Sequence, residues 1–292
     1  MLRAFSGSTL NAYNVVNRSV NSTIGSGSRL SADYGNIDII ARGGHDDNIR
    51  TVSQIDAGGA VALGKAAATT RIGTNVQTNV ERGAELNNRY NNINIIADAS
   101  EARGRTDYDA DSAGDNDGVY NYAGSDCSGL GVKPDASSTL DVDLKAVANV
   151  GVNASSIGEV TIEATKVNIT AIIGKLDIYA NSYAKGSSLG ANIDANTDVD
   201  STLDTSVNVS NATIVGYETA NIYSSNAPEF EDENIYGRSD VQLNAIGDAD
   251  STVNIDVTDK AVTTVGTGFT YKGANLVLDA INLDRARIRE VR

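Results

Sequence analysis

Two stretches of the chain, 56 positions apart, are nearly the same sentence. Residues 27–41 read GSRLSADYGNIDIIA and residues 83–97 read GAELNNRYNNINIIA. Gly27 matches Gly83, Leu30 matches Leu86, Tyr34 matches Tyr90, and Asn36-Ile37-x-Ile39-Ile40-Ala41 matches Asn92-Ile93-x-Ile95-Ile96-Ala97. An internal repeat constrains a fold more than any local signal does. Each copy is a unit that cannot bury its apolar face alone and must stack on its neighbours.

The common core of the copies is apolar-x-apolar-x-Ala, the period-2 alternation of a half-buried β-strand. It returns as Val160-Thr-Ile162-Glu-Ala164, Leu176-Asp-Ile178-Tyr-Ala180, Val241-Gln-Leu243-Asn-Ala245 and Leu276-Val-Leu278-Asp-Ala280. A further apolar residue stands seven positions ahead of the first apolar residue in four places, at Leu30, Leu86, Ile169 and Phe269. The intervals between copies vary, which excludes a strict hexapeptide repeat and any leucine-rich or helical repeat. Variable intervals suit a parallel solenoid whose rungs share a cross-section while loops of different length leave its corners. The Ala-rich run 57–70, AGGAVALGKAAATT, carries three glycines. Each interior glycine costs a helix about 1 kcal/mol relative to alanine, so this run reads as a tightly packed small-residue strand.

Composition fits a narrow core. The 292 residues include no Trp, three Phe, one Met and two Pro. A wide core would need large aromatics at its centre, whereas Ile, Val, Leu and Ala suit the gap between two facing sheets. The formal charge of −15 argues against a nucleic-acid partner, which would require clustered Lys and Arg. It argues equally against an anionic membrane surface, and no apolar run is long enough for membrane insertion. Cys127 is the only cysteine, so no disulfide forms within the chain. The first twenty residues lack the apolar segment of a secretory signal, and an exported form is therefore expected to be a processed product or a piece of something longer.

Residues 98–135 and 226–238 lack clear alternation and are expected to be a long acidic, Gly-rich excursion and a shorter one. The first contains Asp107, Asp109, Asp111, Asp115 and Asp117. Calcium takes roughly six to eight oxygens, and carboxylates at alternate positions of a curved loop can converge on one ion. These aspartates are the candidate metal ligands. Ser112 stands where a calcium loop has its turn glycine, and Gly118 stands where it has its bidentate glutamate. The competing reading is a solvated acidic loop, and no cofactor is required. The pairs Asp141/Asp143, Asp198/Asp200 and Asp248/Asp250 share a strand face. Paired carboxylates can do acid–base chemistry, but on a solenoid they are far more often simply the exposed face. His45, the sole histidine, sits in a turn-like Gly43-Gly44-His45-Asp46-Asp47 run.

The IDIIA, INIIA and LDIYA ends, the run AGGAVALGKAAA and residues 167–182, VNITAIIGKLDIYANS, resemble the passenger repeats of large bacterial filamentous adhesins. The similarity is to the leukotoxin-type exoproteins within the filamentous-haemagglutinin-like class, and it covers residues 1–97 and 139–292. It implies a right-handed parallel β-helix, export through an outer-membrane pore, and a rigid stalk or fibre at the cell surface. The chain has neither the amino-terminal secretion domain nor the translocator of that class. The expectation is an all-β chain, one solenoid over 1–292 with irregular coils and loop excursions. It would be non-enzymatic and extracellular, self-associating end to end, with a cell-surface or glycan receptor. The alternative is a polysaccharide-active β-helix lyase or hydrolase.

Overall fold

A computed structural model describes residues 5–44, 49–100, 119–153, 157–174, 176–226, 234–244, 246–282 and 287–291. The described chain is all-β. The strands are β1 (Phe5–Ile24), β2 (Arg29–Ser31), β3 (Ile37–Arg42), β4 (Ile49–Val80), β5 (Glu85–Asp98), β6 (Val119–Val150) and β7 (Val160–Ile172). They continue with β8 (Asp177–Ser187), β9 (Gly190–Val209), β10 (Ala212–Ser225), β11 (Asn234–Leu243), β12 (Gly247–Val265), β13 (Phe269–Ile281) and β14 (Arg287–Val291). One sheet holds β1, β4, β6, β8, β9, β11, β12 and β14, and the other holds β2, β3, β5, β7, β10 and β13.

Every pairing is parallel, and each joins segments a full turn of chain apart. Phe5 pairs with Val61, Ile49 with Val119, Gly131 with Gly190 and Ala191 with Gly247. In the second sheet Ile37 pairs with Ile93, Ile93 with Val167, Val167 with Ala220 and Ala220 with Leu276. The two copies of the repeat therefore lie directly on one another. Five turns stack in this way, with β1, β4, β6, β9 and β12 as successive layers of one sheet.

Alternation decides what each layer buries. Ile39, Ile95, Ile169 and Ile222 form one inward column of the second sheet, facing Ile72, Leu140, Leu144 and Leu203 of the first across a shared core. The pleat sends alternate residues inward, where branched aliphatics pack well on a half-buried surface. At the corner between the sheets the backbone takes positive φ in every turn, at Gly27, Gly83, Gly151, Gly158, Asn211 and Gly268. Glycine adopts that conformation freely and asparagine tolerates it, so the corner is written into the sequence.

The Ala-rich run is strand, as its composition suggests, and it builds a second compartment. The chain runs outward along Ile49–Ala57, reverses, and returns along Val61–Thr70. Ala62, Ala66 and Ala68 of the return leg pack with Ile55 and Ala57 of the outward leg. The next turn adds Ala123, Cys127, Val132 and Ala136, and the one after adds Ala184, Ala191, Ile193 and Ala195. This is a thin two-layered fin, and its thinness demands small side chains. A Cβ on Gly64 would lie 2.7 Å from Cys127 Sγ and 2.8 Å from Ser125 Oγ. Between fin and main core runs a buried polar seam. Thr70 Oγ1 donates to Thr51 Oγ1 at 2.6 Å, Asn121 Nδ2 donates to Ser138 Oγ at 2.9 Å, and Ser182 Oγ lies 2.8 Å from Thr197 Oγ1.

Three sequence expectations are corrected. Residues 119–135, placed in the 98–135 excursion, are strand paired on both edges. They build the fin, where Ala, Ser and Cys face inward and the amphipathic contrast that marks a strand is lost. Residues 234–238, placed in the 226–238 excursion, belong to β11 and pair with β8 and β14. Ile169 does not occupy the Leu86 position: Leu86 pairs with Ile162, and Ile169 pairs with Ile95. The bend between the half-strands shortens from seven residues (Leu86 to Ile93) to five (Ile162 to Val167), which displaces the pattern.

Candidate functional site

The outer surface of the second sheet is organised by its bend. Tyr34 and Tyr90 sit at the same bend one turn apart, bracketed by the paired Leu30/Leu86 and Ile37/Ile93. They are 93% and 76% exposed. Tyr217 lies at the bend two turns further on, where the register of β10 shifts between Gly216 and Thr219. Arg89 places its guanidinium 5.6 Å from the centre of the Tyr217 ring, and the Tyr217 hydroxyl donates to Glu163. That hydrogen bond, with some loss of hydration, raises the Tyr217 phenol above its ordinary pKa. Thr165, at the intervening bend, donates to Arg89 O at 3.0 Å. The result is a strip of aromatic faces beside a cation, running along the stacking axis. Tyrosine rings of this kind offer a flat apolar face and a polar rim, suited to an extended ligand laid across several turns. The match of Tyr34 to Tyr90 is visible in the sequence, but Tyr217 falls outside the repeat and only the stacking reveals it.

Just inside the bend runs an asparagine ladder. Asn94 Nδ2 donates to Asp38 Oδ1 at 2.6 Å, Asn168 Nδ2 to Asn94 Oδ1 at 2.7 Å, and Asn221 Nδ2 to Asn168 Oδ1 at 2.9 Å. A second ladder crosses the first sheet. Asn79 Nδ2 donates to Asn21 Oδ1 at 2.9 Å, Asn149 to Asn79 at 3.0 Å, and Asn208 to Asn149 at 3.1 Å. Stacked side-chain amides bond along the same direction as the backbone ladder and reinforce it. A shallow cleft of about 320 Å³ lies beside the second ladder, lined by Asn21, Asn79, Asn149, Asn153 and Glu81 among others. Glu81 accepts there from Ser26 N at 3.1 Å and from Asn153 Nδ2 at 3.3 Å.

The carboxylates of the first sheet's outer face also stack. Asp135 pairs with Asp194 and Asp194 with Asp250, while Asp141 pairs with Asp200 and Asp200 with Asp256. Each column meets a cation at one end, Lys65 3.6 Å from Asp135 and Arg71 3.7 Å from Asp141. Lys145 and Asp204 form a further pair at 3.7 Å. Of the i, i+2 pairs read from sequence, Asp141 is thus bound to Arg71, and Asp198/Asp200 and Asp248/Asp250 lie on the same outer face. The candidate calcium ligands Asp107, Asp109, Asp111, Asp115 and Asp117 lie outside the described residues, as does His45. Among the described residues no three His, Cys, Asp or Glu side chains converge as a metal ion would require. Cys127 is buried in the fin, and burial pushes its thiol pKa up.

Comparison with protein-family models, with curated proteins and with solved structures found no match to the chain.

Proposed function

We propose that the chain is a non-enzymatic structural or adhesive protein, a rigid extracellular element built as a right-handed parallel β-helix. The observation that carries this reading is the continuity of its stacking. Inward columns of aliphatics and two outward asparagine ladders run from turn to turn, so that each turn is held by its neighbours on both faces. Such a body provides stiffness and repeated surface rather than an enclosed site. The tyrosine strip supports the adhesive part, since aromatic faces spaced along the axis suit a glycan at a cell surface. Kinship with leukotoxin-type and filamentous-haemagglutinin-like passengers belongs to the same proposal and rests on the repeat pattern alone.

The competing class is a polysaccharide-active enzyme, which needs a carboxylate converging with a base or cation over a bound sugar. The stacked outer carboxylates here meet Lys65, Arg71 and Lys145 in surface ion pairs instead. The test is incubation with a panel of neutral and acidic polysaccharides, reading both retention and polymer length. Retention at unchanged length, weakened by Tyr34→Ala and Tyr90→Ala, is the expected result. Shortening of any polymer would overturn the reading.

A further inference from the structure

The corners that lead from the first sheet into the second are short in most turns: residues 25–28, 81–84, 210–211 and 266–268. In the third turn the same corner runs from 151 to 159. Both ends of this longer corner are fixed to the turn before it. Gly151 N donates to Val80 O at 2.8 Å, Gly83 N donates to Glu159 O at 3.0 Å, and Arg82 Nε donates to Gly158 O at 2.8 Å. Of its described residues, Val152 and Asn153 wall the 320 Å³ cleft beside the second asparagine ladder. An insertion in one turn of a regular stack is where binding groups concentrate.

We propose that this cleft binds a neutral saccharide, the Glu81 carboxylate accepting from neighbouring hydroxyls of the ring and the asparagine amides pairing with the others. The site is separate from the tyrosine strip, which follows the bend of the second sheet. Hydrogen-bonding capacity supports it. A side-chain amide has two N–H donors and two acceptor positions. Asn79 spends one donor on Asn21 and one acceptor position on Asn149, and Asn149 spends one of each on Asn79 and Asn208. Each keeps a donor and an acceptor position, at steps of about 4.8 Å along the axis, and both amides are partly exposed where they line the cleft. Sugar hydroxyls can meet such a row, because each of them both donates and accepts. A carboxylate has about four acceptor positions, and Ser26 N and Asn153 Nδ2 occupy two at Glu81. Those two bonds hold the carboxylate before a ligand arrives, so binding pays less for ordering it.

Charge and size narrow the ligand. Glu81 is the one charged side chain among the described residues that line the cleft. A uronate or a sulfated sugar would bring a second negative charge against it, and like charges brought together at an interface are disfavoured. The volume of about 320 Å³ stands at the lower end for small-molecule sites, so it takes the end of a glycan rather than its length. The apolar lining is limited to Val80 and Val152, with no aromatic ring among the described residues. Hydrogen bonds therefore carry the affinity, and a free sugar binds weakly. This site goes beyond the adhesive reading above, which places its glycan on the tyrosines.

Saturation-transfer NMR would be run with the methyl glycosides of glucose, galactose and mannose and with methyl glucuronide. Titration to about 50 mM reaches well past the roughly millimolar dissociation constant of a site with a few hydrogen bonds. The proteins are the intact chain, Glu81→Gln, Asn153→Ala, and a chain carrying Tyr34→Ala with Tyr90→Ala. At least one neutral glycoside should bind the intact chain saturably, and the glucuronide about tenfold more weakly. Glu81→Gln should weaken the neutral glycoside about tenfold, since it removes a charge-assisted acceptor. Asn153→Ala should weaken it less, and the tyrosine variant should bind it as the intact chain does. Unchanged circular dichroism in Glu81→Gln and Asn153→Ala shows that the loss is one of binding. No saturable binding of any neutral glycoside would overturn the site, as would full binding by both Glu81→Gln and Asn153→Ala. A loss confined to the tyrosine variant would place the sugar on the strip, so that the cleft fails and the adhesive reading stands.

Discussion

Removing the Asn168 side chain should cost about twice as much stability as removing that of Asn221. Asn168 sits inside its ladder, donating to Asn94 at 2.7 Å and accepting from Asn221 at 2.9 Å. Asn221 gives up one ladder bond, because the residue that continues its column is Val277, and beside it only a long 3.5 Å contact from Thr219 Oγ1 at the limit of a hydrogen bond. A typical intramolecular hydrogen bond contributes about 1 kcal/mol net. Asn168→Ala should therefore destabilise by about 2 kcal/mol and Asn221→Ala by about 1 kcal/mol. Both positions are only partly buried, so water reaches the orphaned amides and the full penalty of burying an unpaired group does not apply. Guanidinium titration followed by circular dichroism and by tyrosine fluorescence gives the midpoints. The two probes must coincide before a free energy is read from them, since stacked arrays can lose cooperativity. Combining Asn168→Ala with Asn94→Ala should cost less than the sum of the two, because they share a bond. Equal losses at Asn168 and Asn221, or strict additivity with Asn94, would refute the ladder as a source of stability.

Three more outcomes follow from the packing and the charges. Gly64→Ala should destabilise by about 1–3 kcal/mol through overpacking of the fin, and Cys127→Ala in the same chain should recover part of the loss; calorimetry of the single and double variants measures both. Asp200→Asn relieves repulsion from Asp141 and Asp256 above and below it, so it should raise the denaturation midpoint and flatten its dependence on salt. The Cys127 thiol has a raised pKa in the folded chain, chiefly from burial. Its contribution is therefore fully present below the unfolded thiol's pKa and is lost as pH rises toward the folded value, with a slope no steeper than about 1.4 kcal/mol per pH unit. Cys127→Ala should flatten the alkaline limb of the stability profile.

The second sheet was legible in the sequence because its inward positions are Ile, Leu and Val set against Asp, Asn and Thr. That contrast identifies strand and face together, as at Ile93-Asn94-Ile95. The fin was only half legible. The glycines of 57–70 argued against helix, but Ala123, Ser125 and Cys127 face inward with no apolar contrast, and the strand over 119–135 read as loop. Register failed at Ile169 because the bend is two residues shorter there than at Leu86, and periodicity carries no signal for a change of that kind. Of the candidate surface, Tyr34 and Tyr90 showed themselves as repeat positions. Tyr217 and the acidic columns became neighbours only once turns 52–76 residues long were laid on one another.

The stacking sets an unusual timetable for folding. No described strand pairs with a segment nearer than 52 residues along the chain, as Ala212 does with Val160, and the widest separation is 76, between Glu85 and Thr161. Closing a flexible loop of about 56 residues costs on the order of 3.6 kcal/mol beyond a constant term. Among the described residues no hydrogen-bonded hairpin or helix lowers that cost, so the first pair of turns is a slow nucleus. Every later turn is laid onto an edge that already exists. A chain emerging from one end would remain unfolded until about two turns were free and would then fold by accretion from that end. The same register that ties each finished turn to its neighbours leaves a chain shorter than two turns with nothing to pair on.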